Sequence, residues 1–218
     1  MRFKDRTDAG IKLARLLAEK YARADGVVYA LPRGGVVLGV EIAQHLGMPL
    51  DLVMARKIGH PYNPEYAVAA VTEHGAPVIN TDEVAPLPRD WFQMQVKLQR
   101  QEAQRRHEAY LDGRAPLSCR GKIAIVVDDG IATGLTMEAA IRDLKRHHPA
   151  RVVLAVPVAP ADTAAKFRAE VDDLVALDLP EHYLGGVGAY YDHFPQVSDE
   201  EVIALLRKAS AAVAADPT

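Results

Sequence analysis

Residues 126–136 read Val126-Val127-Asp128-Asp129-Gly130-Ile131-Ala132-Thr133-Gly134-Leu135-Thr136, and this stretch decides the fold of the chain. It begins at the end of an apolar strand, passes through two carboxylates and a small loop with two threonines, and ends where a helix begins. Adjacent carboxylates at the end of a strand can accept hydrogen bonds from the neighbouring hydroxyls of a ribose. The loop offers backbone N–H groups, hydroxyls and the positive end of a helix dipole, which suit a phosphate. The stretch therefore predicts a site for ribose 5-phosphate.

Two other interpretations of this stretch compete with the first. An Asp-Asp pair after a strand also occurs near the start of receiver domains, where it holds magnesium beside a phosphorylated aspartate. Here the pair lies past the middle of the chain. The plainer interpretation is an ordinary turn from strand to helix in which Asp and Thr serve as caps. A cap requires one such residue and this turn has four, so we favour the phosphate site: Asp128, Asp129, Thr133 and Thr136.

Composition bounds the class of protein. The chain has 218 residues, 49% of them hydrophobic, which suits a single α/β domain over residues 1–218 with a large core. A net charge of −3 argues against a general nucleic-acid surface, and Cys119 is the single cysteine, which excludes an intrachain disulfide. The charged N-terminus is not a signal peptide, and the most apolar run, Val152 to Ala161, is too short to span a membrane. We expect a soluble, cytoplasmic protein without nucleic-acid or membrane partners.

Strands and helices alternate along most of the chain. This alternation predicts βαβ units, a parallel sheet and ligands at the carboxyl ends of its strands. The core of the predicted domain covers about residues 22–178, and a tail follows over about residues 179–218. A polar segment with Pro and Gly, Arg56 to Tyr66, precedes two short predicted strands, Ala67 to Thr72 and Val78 to Asn80.

A long polar helix is predicted from Arg89 to Leu111, as an insertion over about residues 88–112. Its apolar stripe, Trp91, Met94 and Leu98, fades after the first half. A solvated helix that lies on the domain is the favoured interpretation. A contact between two copies in a homodimer is the second interpretation, and a nucleic-acid patch is the third.

The pattern of residues 126–136 resembles the signature with which type I phosphoribosyltransferases bind phosphoribosyl pyrophosphate (PRPP). That signature is an apolar run, two acidic residues, two variable residues, then small-Thr-Gly-x-Thr. The resemblance implies an α/β fold with a parallel sheet flanked by helices, a flexible loop or hairpin, and a C-terminal hood. It also implies a role in nucleotide metabolism: transfer of the 5-phosphoribosyl group from PRPP to an unidentified, nitrogenous acceptor, with release of diphosphate.

The resemblance assigns roles to the residues of the signature. Asp128 and Asp129 would be catalytic, holding the 2′ and 3′ hydroxyls and stabilising positive charge on the ribose ring. The loop that follows would bind the 5′-phosphate, through Ala132, Thr133, Gly134, Leu135 and Thr136. Magnesium would be the cofactor and would bind with PRPP. It would reach the acidic pair through water, so no dedicated protein metal site is expected.

Leu31-Pro32-Arg33-Gly34-Gly35 follows the first core strand, where the resemblance places a pyrophosphate loop. Consecutive glycines let backbone N–H groups approach an anion closely, and Arg33 adds a fork of donors. Taken alone, Pro-Arg-Gly-Gly could equally be a tight turn between strand and helix. Ahead of the signature it indicates a diphosphate site formed by Arg33, Gly34 and Gly35. The resemblance also implies a non-proline cis peptide near Leu31 to Gly34.

A second segment has the position and composition of the mobile catalytic loop of the family: Ala55-Arg56-Lys57-Ile58-Gly59-His60-Pro61-Tyr62-Asn63-Pro64-Glu65. That loop closes over PRPP, supplies cations to the departing diphosphate and excludes water. Arg56 and Lys57 are the candidates for this role, whereas His60 is more simply a solvated residue. With Pro-Arg-Gly-Gly upstream, the pattern resembles a less-characterised branch of the family.

The acceptor is left open by the sequence. Tyr190 and Tyr191 fall where the family builds its hood and could stack on a planar heterocycle, with plain packing of the tail as an equal alternative. Ala132 stands where the hypoxanthine-guanine enzymes have an Asp that contacts the purine. Two other functions stay open, since fold alone does not decide function. One is a regulatory protein that senses PRPP or a nucleotide, and the other is a hydrolase that acts on an activated ribose phosphate.

Overall fold

The structure is a computed structural model that describes residues 1–215, with side chains as far as Ala211, so that 216–218 of the predicted tail lie outside the described residues. No helix in this part of the chain is long and apolar enough to cross a membrane. The elements are, in chain order, α1 (Arg6–Tyr21), β1 (Gly26–Ala30), α2 (Gly34–Leu46), β2 (Leu50–Leu52), β3 (Ala55–His60), β4 (Asn63–Thr72), β5 (Val78–Ile79), α3 (Thr81–Val84), α4 (Arg89–Leu111), β6 (Ile123–Val127), α5 (Leu135–Lys145), β7 (Arg151–Val158), α6 (Ala161–Arg168), β8 (Asp173–Asp178), a 3₁₀ turn (Val187–Tyr190) and α7 (Asp199–Ala215).

Five parallel strands form the central sheet, in the order β2-β1-β6-β7-β8. Strands that are buried on both faces read as continuous apolar runs, as β1, β6 and β7 do. Alternate residues of β1 belong to different cores. Val28 belongs to the core that includes side chains of α1, α2 and α7, and Val27 to the core that includes side chains of α5 and α6. The predicted α/β fold, a parallel sheet flanked by helices, is confirmed.

A second, antiparallel sheet consists of β3, β4 and β5. The segment predicted as a mobile loop or hairpin is a β-hairpin, in which β3 and β4 pair from Ala55 opposite Thr72 to His60 opposite Asn63. Its second strand therefore begins at Asn63 rather than at Ala67. The glycine and proline that indicated a loop occupy an irregularity in this ladder: a Cβ at Gly59 would lie 2.1 Å from the carbonyl O of Pro64.

The long helix α4 packs on the second sheet. Trp91, Phe92 and Val96 lie against the small core of β3 and β4. Met94 is 60% exposed and Leu98 is 48% exposed, so the predicted stripe of Trp91, Met94 and Leu98 was wrong beyond Trp91. Two apolar stripes overlap in the first half of this helix, and tertiary contact selects the one with Phe92 and Val96. The favoured interpretation, a helix that lies on the domain, agrees with this contact.

The start of the chain pairs with the segment that follows the 3₁₀ turn. Phe3 forms a parallel bridge with Tyr191 and is fully buried. Its N–H donates to the carbonyl O of Tyr190 over 2.8 Å, and the N–H of Asp192 donates to its carbonyl O over 2.8 Å. Residues before α1 therefore fix the segment that was predicted as a hood.

Candidate active site

Two neighbouring strands, β1 and β6, deliver the loop 32–35 and the acidic pair to the same edge of the central sheet. Ala30 lies opposite Val127, and the N–H of Leu31 donates to the carbonyl O of Val127 over 2.9 Å. The carboxyl ends of parallel strands share one edge, which is where such sheets bind ligands. The predicted diphosphate loop and the predicted ribose pair therefore meet.

The two glycines of the loop 32–35 touch the acidic pair. A Cβ at Gly34 would lie 1.9 Å from Oδ2 of Asp129. A Cβ at Gly35 would lie 2.8 Å from the carbonyl O of Val127 and 3.1 Å from Oδ1 of Asp128. Such distances leave no room for a side chain at Gly34, so close approach is a stronger reason for this glycine than backbone freedom.

Arg33 contacts a carboxylate outside the signature. The peptide bond between Pro32 and Arg33 is cis, in the place that the resemblance indicated. Arg33 directly precedes α2, so the positive end of that helix lies at the loop. The Arg33 side chain is 29% exposed, and its Nη1 lies 3.6 Å from Oδ1 of Asp199 at the start of α7. The Arg33 guanidinium thus has an acidic partner but remains partly exposed to solvent.

An arginine from α1, which the sequence analysis missed, binds the acidic pair. Arg6 is 9% exposed, and its Nε donates to Oδ2 of Asp129 over 2.7 Å. Its Nη1 donates to the carbonyl O of Pro195 over 2.7 Å. The central carbon of its guanidinium lies 3.7 Å from the centre of the Phe194 ring. Arg6 therefore joins the first helix, the acidic pair and the C-terminal segment.

The two carboxyls of the pair are unequal. Burial raises the pKa of Asp128 well above its ordinary value, and the charge of Asp129 raises it further. Burial also raises the pKa of Asp129, but the charge and the hydrogen bond of Arg6 oppose this rise. The N–H of Asp129 donates to Oδ1 of Asp128 over 2.8 Å. Of the two carboxyls, Asp129 is therefore the one whose ionised form is stabilised by a neighbouring cation, Arg6.

The predicted phosphate loop forms the turn into α5. Gly134 precedes the helix with φ +85°, a left-handed conformation that glycine adopts readily. Among the described residues no side chain caps the first turn of α5, so the N–H groups there are free to bind an anion. A cavity of about 340 Å³ borders Thr133, Gly134 and Leu135, and residues of β4 and α6 line its other side. The structure thus keeps the five predicted residues in one turn: Ala132, Thr133, Gly134, Leu135 and Thr136.

The two hairpin cations lie on opposite sides of β3 because they are neighbours in a strand. Arg56 Nε donates to Oε1 of Gln99 in α4 over 3.0 Å. Lys57 Nζ lies 2.8 Å from Oε2 of Glu65, whose side chain is 89% exposed. Burial lowers the pKa of Arg56, and the charge of Arg106 lowers it further. The structure therefore separates the two predicted cations, and of the two Arg56 is the one enclosed by protein.

Tyr110 of α4 shares a carboxylate with Arg33. The Tyr110 hydroxyl donates over 2.6 Å to Oδ1 of Asp199, the same oxygen that lies 3.6 Å from Arg33. Burial and Asp199 raise the pKa of Tyr110 to about 12, and the charges of Arg106 and Arg33 oppose that rise. Arg33 and Arg56, both predicted to bind diphosphate, are thus each connected to α4, Arg33 through Asp199 and Tyr110 and Arg56 through Gln99.

The predicted hood tyrosines are packed. Tyr190 and Tyr191 are each 3% exposed, which agrees with the packing alternative rather than with stacking on an acceptor. Tyr191 donates from its hydroxyl to the carbonyl O of Asp129 over 2.6 Å, and the Tyr190 hydroxyl accepts from the N–H of Leu184 over 3.0 Å. The hydroxyl of Tyr183 is buried and has no hydrogen-bond partner among the described residues. Tyr183, not predicted, is thus a candidate for contact with an acceptor.

Arg6 carries a weak signal in the sequence. It lies 123 positions from Asp129, so no motif joins the two residues. The available signal is its place in the first turn of α1, on the buried side of an amphipathic helix. An arginine at such a position needs a partner, and a carboxylate is the usual one.

A parallel sheet with a glycine loop and an acidic pair at its carboxyl edge is the architecture of type I phosphoribosyltransferases. Residues 3–193 match the family described as phosphoribosyl transferase domain, and the chain belongs to this family. Two provisionally named phosphoribosyl transferases, from two strains of Mycobacterium tuberculosis, are 43% identical over 209 residues. The match covers 95% of this chain and 47% of each relative, so the chain spans about half the length of these curated relatives.

Solved structures show the same fold. The crystal structure of TT1426 from Thermus thermophilus has a TM-score of 0.79 and 41% identity, covering 95% of this chain and 99% of that chain. The structure of AQ2163 from Aquifex aeolicus has a TM-score of 0.53 at 13% identity, covering 83% of this chain and 78% of that one. The second likeness concerns the fold alone.

Proposed function

We propose that this protein transfers the 5-phosphoribosyl group of PRPP to a nitrogenous acceptor and releases diphosphate. The observation that carries the proposal is the contact between the loop 32–35 and the acidic pair, where a Cβ at Gly34 would lie 1.9 Å from Oδ2 of Asp129. PRPP carries its diphosphate on the ribose carbon beside the 2′-hydroxyl. A diphosphate loop and a pair that binds ribose hydroxyls must therefore adjoin, as these two do. Membership of the phosphoribosyl transferase domain family supports the same conclusion.

The acidic pair would act on the ribose. Asp128 and Asp129 would accept hydrogen bonds from the 2′ and 3′ hydroxyls. They would also stabilise the positive charge that develops on the ring as the bond from C1 to the diphosphate breaks and a bond to the acceptor nitrogen forms. The loop 132–136 would fix the 5′-phosphate through its N–H groups and thereby hold C1 in place.

The cations would act on the diphosphate. The N–H groups of Gly34 and Gly35 would approach it at the start of α2. Arg33 would exchange its 3.6 Å contact with Asp199 for phosphate oxygens, which accept its fork of donors. Arg56 would add a second guanidinium from the side of α4. Lys57 would join only after it leaves the surface pair with Glu65.

Magnesium would bind together with PRPP. The chemistry of the donor set fits the ion, because magnesium prefers oxygen ligands and commonly reaches carboxylates through water. Among the described residues no group of three His, Cys, Asp or Glu side chains forms a metal site of its own. When bound, the ion would neutralise charge on the diphosphate. The ion would reach Asp128 and Asp129 mainly through substrate and water.

A regulatory protein that senses PRPP is the second candidate function. One observation favours it: Tyr190 and Tyr191, expected at the acceptor, are each 3% exposed and offer no open ring face. A sensor would bind PRPP by the same residues and would release no diphosphate. We favour transfer because the cations that a departing diphosphate needs are present.

Calorimetric titration of PRPP, with and without magnesium, tests the proposal. We expect binding that depends on magnesium in the wild type. In the double variant Asp128→Asn, Asp129→Asn we expect the affinity to fall by at least about 100-fold, since hydrogen bonds to charged groups contribute about 1.5–3 kcal/mol each. A screen of purines, pyrimidines and amines for diphosphate release then separates a transferase from a sensor.

Asp192→Asn is the matched control, because Asp192 is exposed and pairs with Arg2 at the surface. It should bind PRPP as the wild type does. Absence of PRPP binding in the wild type would reject the proposal. So would an affinity in the double variant equal to that of the wild type.

A further inference from the structure

We infer that Arg6 is a positioning residue of the PRPP site: it holds Asp129 as a fixed carboxylate, so that a ribose hydroxyl and a diphosphate can bind beside it. The inference rests on the proposed function and deepens it. Nothing in the motifs assigns Arg6 a role, because it lies in the first turn of α1, far from the signature in sequence.

Three contacts fix the guanidinium of Arg6. Nε donates to Oδ2 of Asp129 over 2.7 Å, and Nη1 donates to the carbonyl O of Pro195 over 2.7 Å. The Phe194 ring lies 3.7 Å from its central carbon, in a cation–π arrangement. The side chains of Arg6 and Asp129 are 10% and 15% exposed. A guanidinium held at several points orients its partner far better than a solvated cation does.

The ion pair lies where the diphosphate loop begins. A Cβ at Gly34 would lie 1.9 Å from Oδ2 of Asp129 and 2.9 Å from Nε of Arg6, so the loop passes directly over the pair. Two adjacent carboxylates would repel a diphosphate at this place. Arg6 cancels the charge of one of them. It engages that carboxylate through Oδ2, one of its two oxygens.

The groups that face Asp129 determine how binding depends on pH. They are Arg6 from α1, Asp128 from the same strand end, and Tyr183 and Tyr191 from the segment after β8. Burial raises the pKa of Tyr183 to about 12 and also raises the pKa of Tyr191, so both stay neutral at working pH. Arg6 lowers the pKa of both carboxyls against the effect of burial. The carboxylate form is present above the pKa and is lost as pH falls through it, so removal of Arg6 moves this loss to higher pH.

The test compares the pH dependence of PRPP affinity in Arg6→Gln, Arg6→Lys and Arg2→Gln, by calorimetric titration from pH 5 to pH 9 with magnesium, about two units to either side of neutrality. Arg2→Gln is the matched control: it removes the same charge from the same segment, but Arg2 is 67% exposed and pairs with Asp192 at the surface. PRPP titrates equally in every experiment, so differences between variants report on the protein. Thermal unfolding of each variant establishes that it is folded.

We expect Arg6→Gln to bind PRPP about tenfold or more weakly at neutral pH, the usual scale for one charge-assisted contact, and to show its acid midpoint at higher pH than the wild type. Arg6→Lys, which keeps the charge, should retain the wild-type midpoint with a smaller loss of affinity. Arg2→Gln should match the wild type in both respects.

Two results would overturn the inference while leaving the proposed function intact. One is an Arg6→Gln variant that binds more weakly but has the wild-type midpoint, which would make Arg6 a mere anchor of the C-terminal segment. The other is an Arg6→Lys variant in which the acid midpoint of PRPP binding shifts as far as in Arg6→Gln. The positive charge at this position would then not be what sets the midpoint. Failure of the proposed function would be visible separately, as absence of PRPP binding in the wild type.

Discussion

The edge of the central sheet and the hairpin with α4 hold their charged residues in opposite ways. At the sheet edge, Asp129 is 15% exposed and bound by Arg6. On the hairpin, Tyr62 is 90% exposed and Lys57 pairs with Glu65 at the surface. On the proposed function, the acidic pair would be organised before a ligand arrives, whereas Lys57 would reach the ligand only as part of its binding.

The base of the hairpin differs from its tip. Arg100 of α4 donates to the carbonyl O of Gly75, and Nδ1 of His107 lies 2.5 Å from Oε1 of Glu73. Arg146 of α5 also donates to the carbonyl O of residue 74, over 2.9 Å. Both α4 and α5 therefore hold the turn formed by residues 73–75. Movement of the hairpin is therefore expected at the tip, where contacts are few, and not at the base.

The largest effect is expected at the sheet edge, from Gly34→Ala. The new Cβ would lie 1.9 Å from Oδ2 of Asp129 and 2.9 Å from Nε of Arg6, so both groups would have to move. We expect PRPP affinity to fall by about 100-fold or more, as when a charged hydrogen bond is lost. The free energy of unfolding should fall by about 1–3 kcal/mol, the usual cost of overpacking. Calorimetric titration and urea unfolding measure the two quantities.

Gly186→Ala provides the control for this change. Among the described residues no atom beyond its chain neighbours lies within 4 Å of a Cβ there, and its φ of −169° is extended backbone that any residue adopts. Both affinity and stability should match the wild type. If Gly34→Ala also bound PRPP normally, the loop and the acidic pair would not share a ligand, and the contrast between edge and hairpin would lose its basis.

An intermediate effect is expected in the hairpin and sharpens the comparison. Arg56→Gln should weaken PRPP binding by about tenfold, since a guanidinium that binds a phosphate oxygen contributes one charge-assisted contact. Lys57→Gln should change affinity by no more than about fivefold, because exposed ion pairs contribute roughly 0.2–1 kcal/mol. Calorimetric titration of both variants measures the order. The reverse order would show that the hairpin presents the face of Lys57, rather than the face of Arg56, to the ligand.

The smallest effect is expected in the pH dependence of stability, from His107 at the base of the hairpin. Burial disfavours a charged His107, but the hydrogen bond and charge of Glu73 outweigh it and raise the pKa of His107 above its ordinary value. A raised pKa stabilises the fold fully below the unfolded value of about 6.5, and the stabilisation is lost as pH rises through the folded pKa. Urea unfolding should therefore show a decline in stability as pH rises above about 6.5, and this decline should be smaller in His107→Gln.

His182→Gln is the control for this prediction, since His182 is exposed and lies outside the hairpin and α4. It should keep the decline seen in the wild type. Equal pH slopes in His107→Gln and the wild type would mean that the pair with Glu73 does not hold the base of the hairpin.

The sheet edge could be predicted from the sequence because its determinants are local. Apolar runs that are buried on both sides indicate parallel strands, and the residues directly after them lie at the carboxyl edge. The loop 32–35 follows β1, and the acidic pair of the stretch 126–136 follows β6. Two short motifs and one topological rule therefore sufficed to bring Gly34 and Asp129 together.

The remaining parts depend on contacts between distant residues. Met94 and Leu98 form as good an apolar stripe as Phe92 and Val96, and only the presence of the second sheet decides which stripe is buried. Arg56 and Lys57 read as one basic pair, yet strand geometry sends them to opposite sides. The contacts of Arg6 with Asp129 and with the C-terminal segment join residues that lie far apart in the sequence. No local pattern therefore predicts them.

The bridge between Phe3 and Tyr191 has a consequence for the order in which parts of the molecule form during synthesis. The strands of the central sheet have all been made once β8 is complete, but the partners that hold Arg6, Phe194 and Pro195, follow β8 in the chain. Contacts between residues so far apart in sequence form late in folding. We therefore expect a nascent chain to form the acidic pair of the sheet edge before α1 is fixed against it by the segment that follows β8.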